Sequence, residues 1–247
     1  MLKPVCFKKM IAKRLQKLFR CKEFQRELIS LYKKSDLRSR KNGKLDMSIG
    51  TEREKDLFSV LIRNTSLSIV KWEDTKKSTS DGIIFGEPTS VKHTTIADIS
   101  KIPIIKIGWT SNKSDAIKLM TKFYTNTWHE HILIVKIATI SKKIQCIFIE
   151  AQTVDILRQC FKVFDKQIFK QITDKNIRGV EFSEEFMRKL IDNAAFIETF
   201  DGDTKSPDTS DPIQERLELL SRNFGIPRQH LPPKKRQYFF SNSSAFN

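Results

Sequence analysis

Three residues in one short stretch are of types that do chemistry together: Glu54, Asp81 and Lys92. Carboxylates hold hard divalent cations, and a lysine beside them can orient a water or stabilise charge on a phosphoryl group. Asp81 opens a strand candidate over 81–85, and residues 86–89 (Gly-Glu-Pro-Thr) read as a tight turn. Lys92 lies in a second strand candidate over 90–95. With that turn, Phe85 pairs with Ser90 and Ile83 with Lys92, so Asp81 and Lys92 share a face as diagonal neighbours. The third residue belongs to a helix candidate over 51–63. There Glu54, Leu57, Phe58 and Leu61 recur at i, i+3, i+4 and i+7 and make the apolar stripe. Glu52 falls with Asp56, Ser59 and Arg63 on the solvated side. An acid on a buried stripe costs free energy unless it is paired or binds a cation, which singles out Glu54 over Glu52. Each residue also has a plainer role: Asp81 as a strand cap, Lys92 as an exposed strand lysine, Glu54 as an acid favoured by the helix dipole. Taken singly the plainer role is the commoner. The three together, in this order, balance it.

These groups must be carried by a small set of elements. A strand over 67–72 follows the helix, and a polar loop over 72–80 leads into the hairpin. After it comes a β-like run over 102–109, with Pro103 at its start or on an edge. Ser114 reads as the cap of a helix to about 124, with Ile117, Met120 (or Leu119) and Tyr124 inward. Two strong strands, 131–140 and 143–149, are joined through Ser141-Lys142 as a hairpin. The order α-β-β-β-α-β predicts a mixed sheet with helices packed on it. Downstream the spacing predicts a helix over 153–172 and another over 183–195 capped by Ser183. A linker over 199–212, a last helix over 211–224 and a basic-aromatic tail over 225–240 complete the chain.

Composition narrows the partner. The chain has 247 residues, 39% of them hydrophobic, which suffices for one domain with a real core. A net charge of +16 and a pI near 9.7 predict a polyanion: nucleic acid first, an anionic membrane surface second. Residues 1–44 hold 15 Lys and Arg against Glu23, Glu27 and Asp36, and so carry most of the excess. Ile11, Leu15, Leu18 and Phe19, then Phe24, Leu28, Leu31 and Tyr32, lie at helical spacing. This segment reads as one or two basic amphipathic helices. Lys13, Arg14, Lys17 and Arg20 would contact phosphates, or would form the solvated face of helices packed on the core, which is the commoner case. Arg38, Arg40, Lys41 and Lys44 lie in a loop over 35–50 with a turn at Asn42-Gly43, either tracking a nucleic-acid backbone or forming an ordinary basic surface. No apolar run is long enough to span a membrane, and the N-terminus lacks the apolar core of a secretory signal. Cys6, Cys21, Cys146 and Cys160 have no metal or disulfide spacing and fit reduced cytoplasmic thiols. His129 and His131 read as polar residues at a strand entrance rather than a metal pair, and His93 points away from the Lys92 face.

Helix with acid, strand, strand with Asp, turn, strand with x-x-Lys, helix, strand: over about 50–150 this order resembles the PD-(D/E)XK nucleases, which include many type II restriction endonucleases. The chain departs from that pattern at two places. Ser90 stands where the family has Asp or Glu two residues before the lysine, and Ser80 rather than proline precedes Asp81. The literal Pro207-Asp208 has no following strand with x-x-Lys. Members lacking the strand acid recruit a helix carboxylate, which would give Glu54 its role. The length and the Glu–Asp–Lys variant are similar to the ThaI restriction enzymes, and if the chain shares their specificity the target would be CGCG with blunt cutting. The resemblance implies Mg²⁺ held by Asp81, Glu54 and the main-chain oxygen of Val91. It also implies that Lys92 orients an in-line attacking water, with no covalent enzyme intermediate. The implied substrate is double-stranded DNA, cut at a short palindrome by a homodimer in the cytoplasm, with no small-molecule cofactor. The implied fold is a mixed α/β restriction-endonuclease-like core, a central mixed sheet flanked by helices, with N- and C-terminal helical additions. One catalytic domain, 1–247, would comprise a basic helical arm (1–44), the core (45–172) and a helical addition with the tail (173–247). On the residues alone, the runner-up is a non-catalytic basic DNA- or RNA-binding protein.

Overall fold

A computed structural model of the chain describes residues 4–38, 40–41, 44–45, 49–65, 70–72, 80–108, 110, 112–172 and 179–203. The chain divides into a compact unit, Met1–Thr204, and a second, Lys205–Asn247, which lies outside the described residues. The expected helix over 211–224, Pro207-Asp208 and the basic-aromatic tail fall there.

The apolar stripes of the N-terminal segment form two helices, α1 (Pro4–Arg20) and α2 (Lys22–Arg38). Ile11, Leu15 and Phe19 of α1 and Phe24, Leu28 and Tyr32 of α2 are buried, while Lys13, Arg14, Lys17 and Arg20 are exposed. Two short strands follow, β1 (Arg40–Lys41) and β2 (Lys44–Leu45), paired antiparallel, and then α3 (Ile49–Asn64). The remaining elements in order are β3 (Val70–Trp72), β4 (Gly82–Ile84), β5 (Glu87–Ile96), β6 (Lys106–Gly108), α4 (Lys113–Thr125), β7 (His131–Ala138), β8 (Lys143–Ile149), α5 (Ala151–Val163), β9 (Val180–Glu181), α6 (Glu184–Asp192) and β10 (Phe196–Asp201).

Six strands form the central sheet in the order β10-β8-β7-β5-β4-β3. β5 and β7 are parallel, joined through α4, and every other pair is antiparallel. This is the expected mixed sheet flanked by helices. β6 stands outside it and pairs with β9, and residues 102–105 of the expected run are not strand.

Alternation along the strands divides the core in two. Val70, Ile84, Val91, Leu133, Val135, Cys146 and Phe148 pack with α1, α2 and α3 on one face. Ile132, Ile134, Ile147 and Ile149 pack with α4, α5 and α6 on the other. The first face is covered from β3 to β10. Among the described residues, the apolar cluster on the second takes its central-sheet members from β7 and β8. Each fully buried Leu, Ile or Phe contributes about 1.5–3 kcal/mol, so both layers hold the sheet firmly.

Three expected boundaries move for identifiable reasons. α5 ends at Val163 rather than 172, because Asp165 takes a left-handed conformation (φ 50°) that no α-helix continues through. Asn112, not Ser114, caps α4 by accepting from the Asp115 N–H, and the helix turns so that Ala116 and Phe123 are buried while Ile117 is exposed. Residues 199–201, expected as linker, belong to β10, whose Phe196 and Phe200 alternate into the core. Ser183 does cap α6, accepting from the Phe186 N–H.

Candidate active site

The β4–β5 hairpin places the candidate acid and lysine, and its turn differs from the expected one. Ile84 pairs with Glu87 and Ile83 with Pro88, so the loop is only Phe85-Gly86. Phe85 (φ 52°) and Gly86 (φ 87°) are both left-handed, the two-residue turn whose twist matches that of the strands. Glycine takes this conformation freely. Phe85 takes it at a cost that its burial offsets. Pro88, expected in the turn, lies in β5 instead. The Val91 N–H points to the β4 side, so alternation turns the ring nitrogen of Pro88 toward β7. The β5–β7 register begins only at Thr89–His131, so the missing proline N–H costs no ladder bond. The register shift from expectation is four residues, an even number, so every side chain keeps its face.

Asp81, just before β4, therefore stands opposite Ser90. Its Oδ2 accepts from Ser90 Oγ (3.0 Å), the Val91 N–H (2.7 Å) and Lys92 Nζ (3.2 Å). Asp81 and Ser90 are buried at 8% and 6% exposure, and the Lys92 side chain is 27% exposed. A buried carboxylate needs such partners, and three donors converging on one oxygen fix its plane. In a strand the N–H and C=O of one residue point to the same side, so the Val91 carbonyl also faces the Asp81 edge. Ser90 is thus a direct partner of Asp81. Its position two residues before Lys92 was the available signal in the sequence.

Glu54 is half-buried on α3, which packs on the opposite face of the sheet. It lies one turn before Phe58, whose ring fills the space beside Gly82 where a Cβ would sit, so α3 passes close behind Asp81. Asp56, expected on the solvated side of α3, is buried (9% exposed), and so is Arg53 (3%), which the single stripe does not include. The reason is that α2 packs on α3 from a second side. Ser35 of α2 donates to Asp56, and Asp36 of α2 takes a two-pronged bond from Arg53, with both contacts at 2.9 Å.

Behind the lysine, on that opposite face, His93 meets Tyr32 of α2, Oη to Nε2 at 2.7 Å, with the rings edge to face. Burial first, then the nearby Arg53 and Lys92 charges, depress the His93 pKa to about 3. Arg53 also donates to Thr95 Oγ1 (2.9 Å), tying α3 to β5.

The basic residues divide. Arg20 pairs with Glu198 of β10 (2.7 Å), and the Arg14 guanidinium stacks over the Phe85 ring (5.7 Å). Both are engaged within the protein, while Lys13 and Lys17 are exposed. Arg38 closes α2, and Arg40, Lys41 and Lys44 lie in the β1–β2 pair. His131 is buried and its Nδ1 accepts from the Ala151 N–H (3.1 Å), whereas His129 is exposed. Among the described residues no three His, Cys, Asp or Glu side chains cluster as a metal cage. No helix among them is long and apolar enough to cross a membrane.

A family model described as restriction endonuclease ThaI matches residues 15–200. A solved structure, a restriction endonuclease in complex with substrate DNA, shares the fold with a TM-score of 0.62 at 23% identity, over 85% of this chain and 99% of that one. No curated protein sequence matches.

Proposed function

The chain belongs to the restriction endonuclease ThaI family, and we propose that Asp81 and Lys92 form the catalytic centre of this sequence-specific DNA endonuclease. One observation carries the assignment: Ser90, Val91 and Lys92 all donate to Asp81 Oδ2, so acid and lysine are held together at the hairpin. The donor chemistry fits a hard cation. Asp81 and the Val91 carbonyl offer oxygen on one edge, where β4 begins and leaves the side of β5 beyond Ser90 without a strand partner among the described residues. Glu54 would complete the set from α3, reaching that gap from behind. When bound, Mg²⁺ would polarise the scissile phosphate and make a water more acidic.

The chain's own groups do the rest. Ser90 and the Val91 N–H hold Asp81 in one orientation. The Lys92 ammonium, restrained by Asp81, donates to the attacking water and to a phosphate oxygen, where charge grows in the transition state. Water adds in line to phosphorus as the ester bond opposite breaks. The substrate is double-stranded DNA, and two copies related by two-fold symmetry match a palindrome. If the specificity follows the ThaI enzymes, the target is CGCG. One catalytic domain with a basic arm, acting in the cytoplasm, completes the reading.

Plasmid nicking with and without Mg²⁺ tests it. Asp81→Ala should abolish cleavage and leave DNA binding intact. Glu54→Ala should cost far more than Glu52→Ala. Cleavage by Asp81→Ala at the wild-type rate would remove this site from consideration.

A further inference from the structure

Asp81 has a second lysine on its face, and no expectation from the sequence included it. Lys71 of β3 pairs with Ile83, two residues from Asp81 on β4. Directly opposed residues share a face, and Ile83 pairs in turn with Pro88, which lies on the Ser90 and Lys92 side of β5. Lys71 and Lys92 therefore flank Asp81 diagonally, one from each neighbouring strand, at about 7–8 Å between diagonal positions. Their states differ. Lys92 is bonded to Asp81, whereas Lys71 is exposed and has no ion pair among the described residues. Among the described residues, the sheet face they share over β3, β4 and β5 contributes nothing to the apolar cluster beneath α4, α5 and α6. The opposite face of the same strands is sealed by Val70, Ile84 and Val91 under the N-terminal helices.

We propose that Lys71 is a substrate-positioning residue. It would hold a DNA phosphate next to the one cut between Asp81 and Lys92, with the DNA backbone lying across this face of β3–β5. The occupant is the phosphodiester chain, because the exposed cations beside the acid complement a polyanion and the surface runs directly into the cleavage site. This inference rests on the Asp81–Lys92 reading. It also shifts the expected docking surface away from α1, whose packing lies on the other face and whose Arg14 and Arg20 are already engaged.

The test is a salt titration of binding to a fluorescent DNA duplex with no divalent metal present. Removing one cation that neutralises a phosphate should lower the slope of log K against log salt by about 0.9. Lys71→Gln should therefore bind more weakly with a slope shallower by about one, and Lys71→Arg should restore it. Single-turnover cleavage by Lys71→Gln should need more DNA to reach saturation than the wild type does, whereas Asp81→Ala should not cut at any DNA concentration. A variant with Lys13, Arg14, Lys17 and Arg20 all changed to Gln should move the slope less per charge than Lys71→Gln does. An unchanged slope in a Lys71→Gln protein that melts like wild type would make Lys71 a guard of the sheet edge only, and would overturn the proposal. A larger effect per charge from the α1 variant would place the DNA on the other face and also overturn it. Failure of the underlying reading would look different: Asp81→Ala would still cut.

Discussion

Lys92 and His93 are neighbours on β5 that face opposite layers, and their surroundings differ in kind. Lys92 shares its side with Asp81 and Ser90, where the donors converge on one carboxylate oxygen and the lysine stays part-exposed. His93 faces Tyr32, with Arg53 and Asp36 beyond, and here acids and bases satisfy one another inside the protein. Both sides are polar, so polarity alone does not mark a functional site. What separates them is how many elements supply the partners. On the His93 side two helices complete the network, and its free energy goes into joining α2, α3 and β5. On the Lys92 side the network is a single acid whose Oδ2 takes its three donors from β5. Strand alternation lets one segment serve both ends without either constraining the other's side chains.

The sharpest way to test that contrast is to remove the lysine. Lys92→Ala should lose cleavage by several orders of magnitude, the scale of removing a group that stabilises the transition state. Its stability to urea should change little, because the ion pair removed is part-exposed and such pairs contribute about 1 kcal/mol or less. A large stability loss in Lys92→Ala would mean that both faces are structural, and the comparison would collapse.

The opposite result is expected across the sheet. Arg53→Ala leaves Asp36 without its two-pronged partner and Thr95 without a donor. Breaking a buried pair costs about 3–5 kcal/mol, and the low end applies because the Asp36 side chain is 28% exposed. Urea unfolding should show that loss, while folded protein at saturating DNA and metal should cut at close to the wild-type rate. A cleavage defect as deep as that of Lys92→Ala, in protein shown to be folded, would place Arg53 in the chemistry.

Much of this division was legible in the sequence, for a physical reason. Alternation is a parity, and parity survives an even slip in register. The expected turn at 86–89 was displaced by four residues in register, to Phe85-Gly86, yet Asp81 and Lys92 still meet. His93 facing away from Lys92 was legible for the same reason. The register itself was not, because Phe85 in a left-handed conformation runs against residue preference, and only its burial in the core reveals why it is there. The buried charges of α3 were hidden for another reason. A single stripe assumes one contact face, and α2 supplies a second that no local pattern announces. The strand β10 was hidden by its polar, turn-rich surroundings, although Phe196 and Phe200 alternate correctly. The packing of the N-terminal helices on the core was legible, because their apolar residues keep helical spacing.

A gradual effect, spread over pH, comes from His93 and separates the faces. Its pKa is depressed from the ordinary 6.5 to about 3, by burial first and by Arg53 and Lys92 after it. The groups facing it are Tyr32 from α2 and Arg53 from α3, with Lys92 beside it on β5. Between those two pKa values the unfolded chain binds a proton on this ring that the folded chain does not. Stability from this group is therefore complete above about pH 7 and falls as the pH drops through 6.5 toward 3. One group gives a slope of at most about 1.4 kcal/mol per pH unit within that window. His93→Gln keeps a polar partner for the Tyr32 hydroxyl and removes the titration. The difference in unfolding free energy between the two proteins should therefore be flat above pH 7 and should shrink on acidification. The cleavage rate at saturating DNA, which the proposed Asp81–Lys92 pair would set, should keep the same pH profile in both. If that profile moved with His93→Gln while the stability difference stayed flat, the ring would be acting on the Lys92 side, and the separation between the two faces would fail.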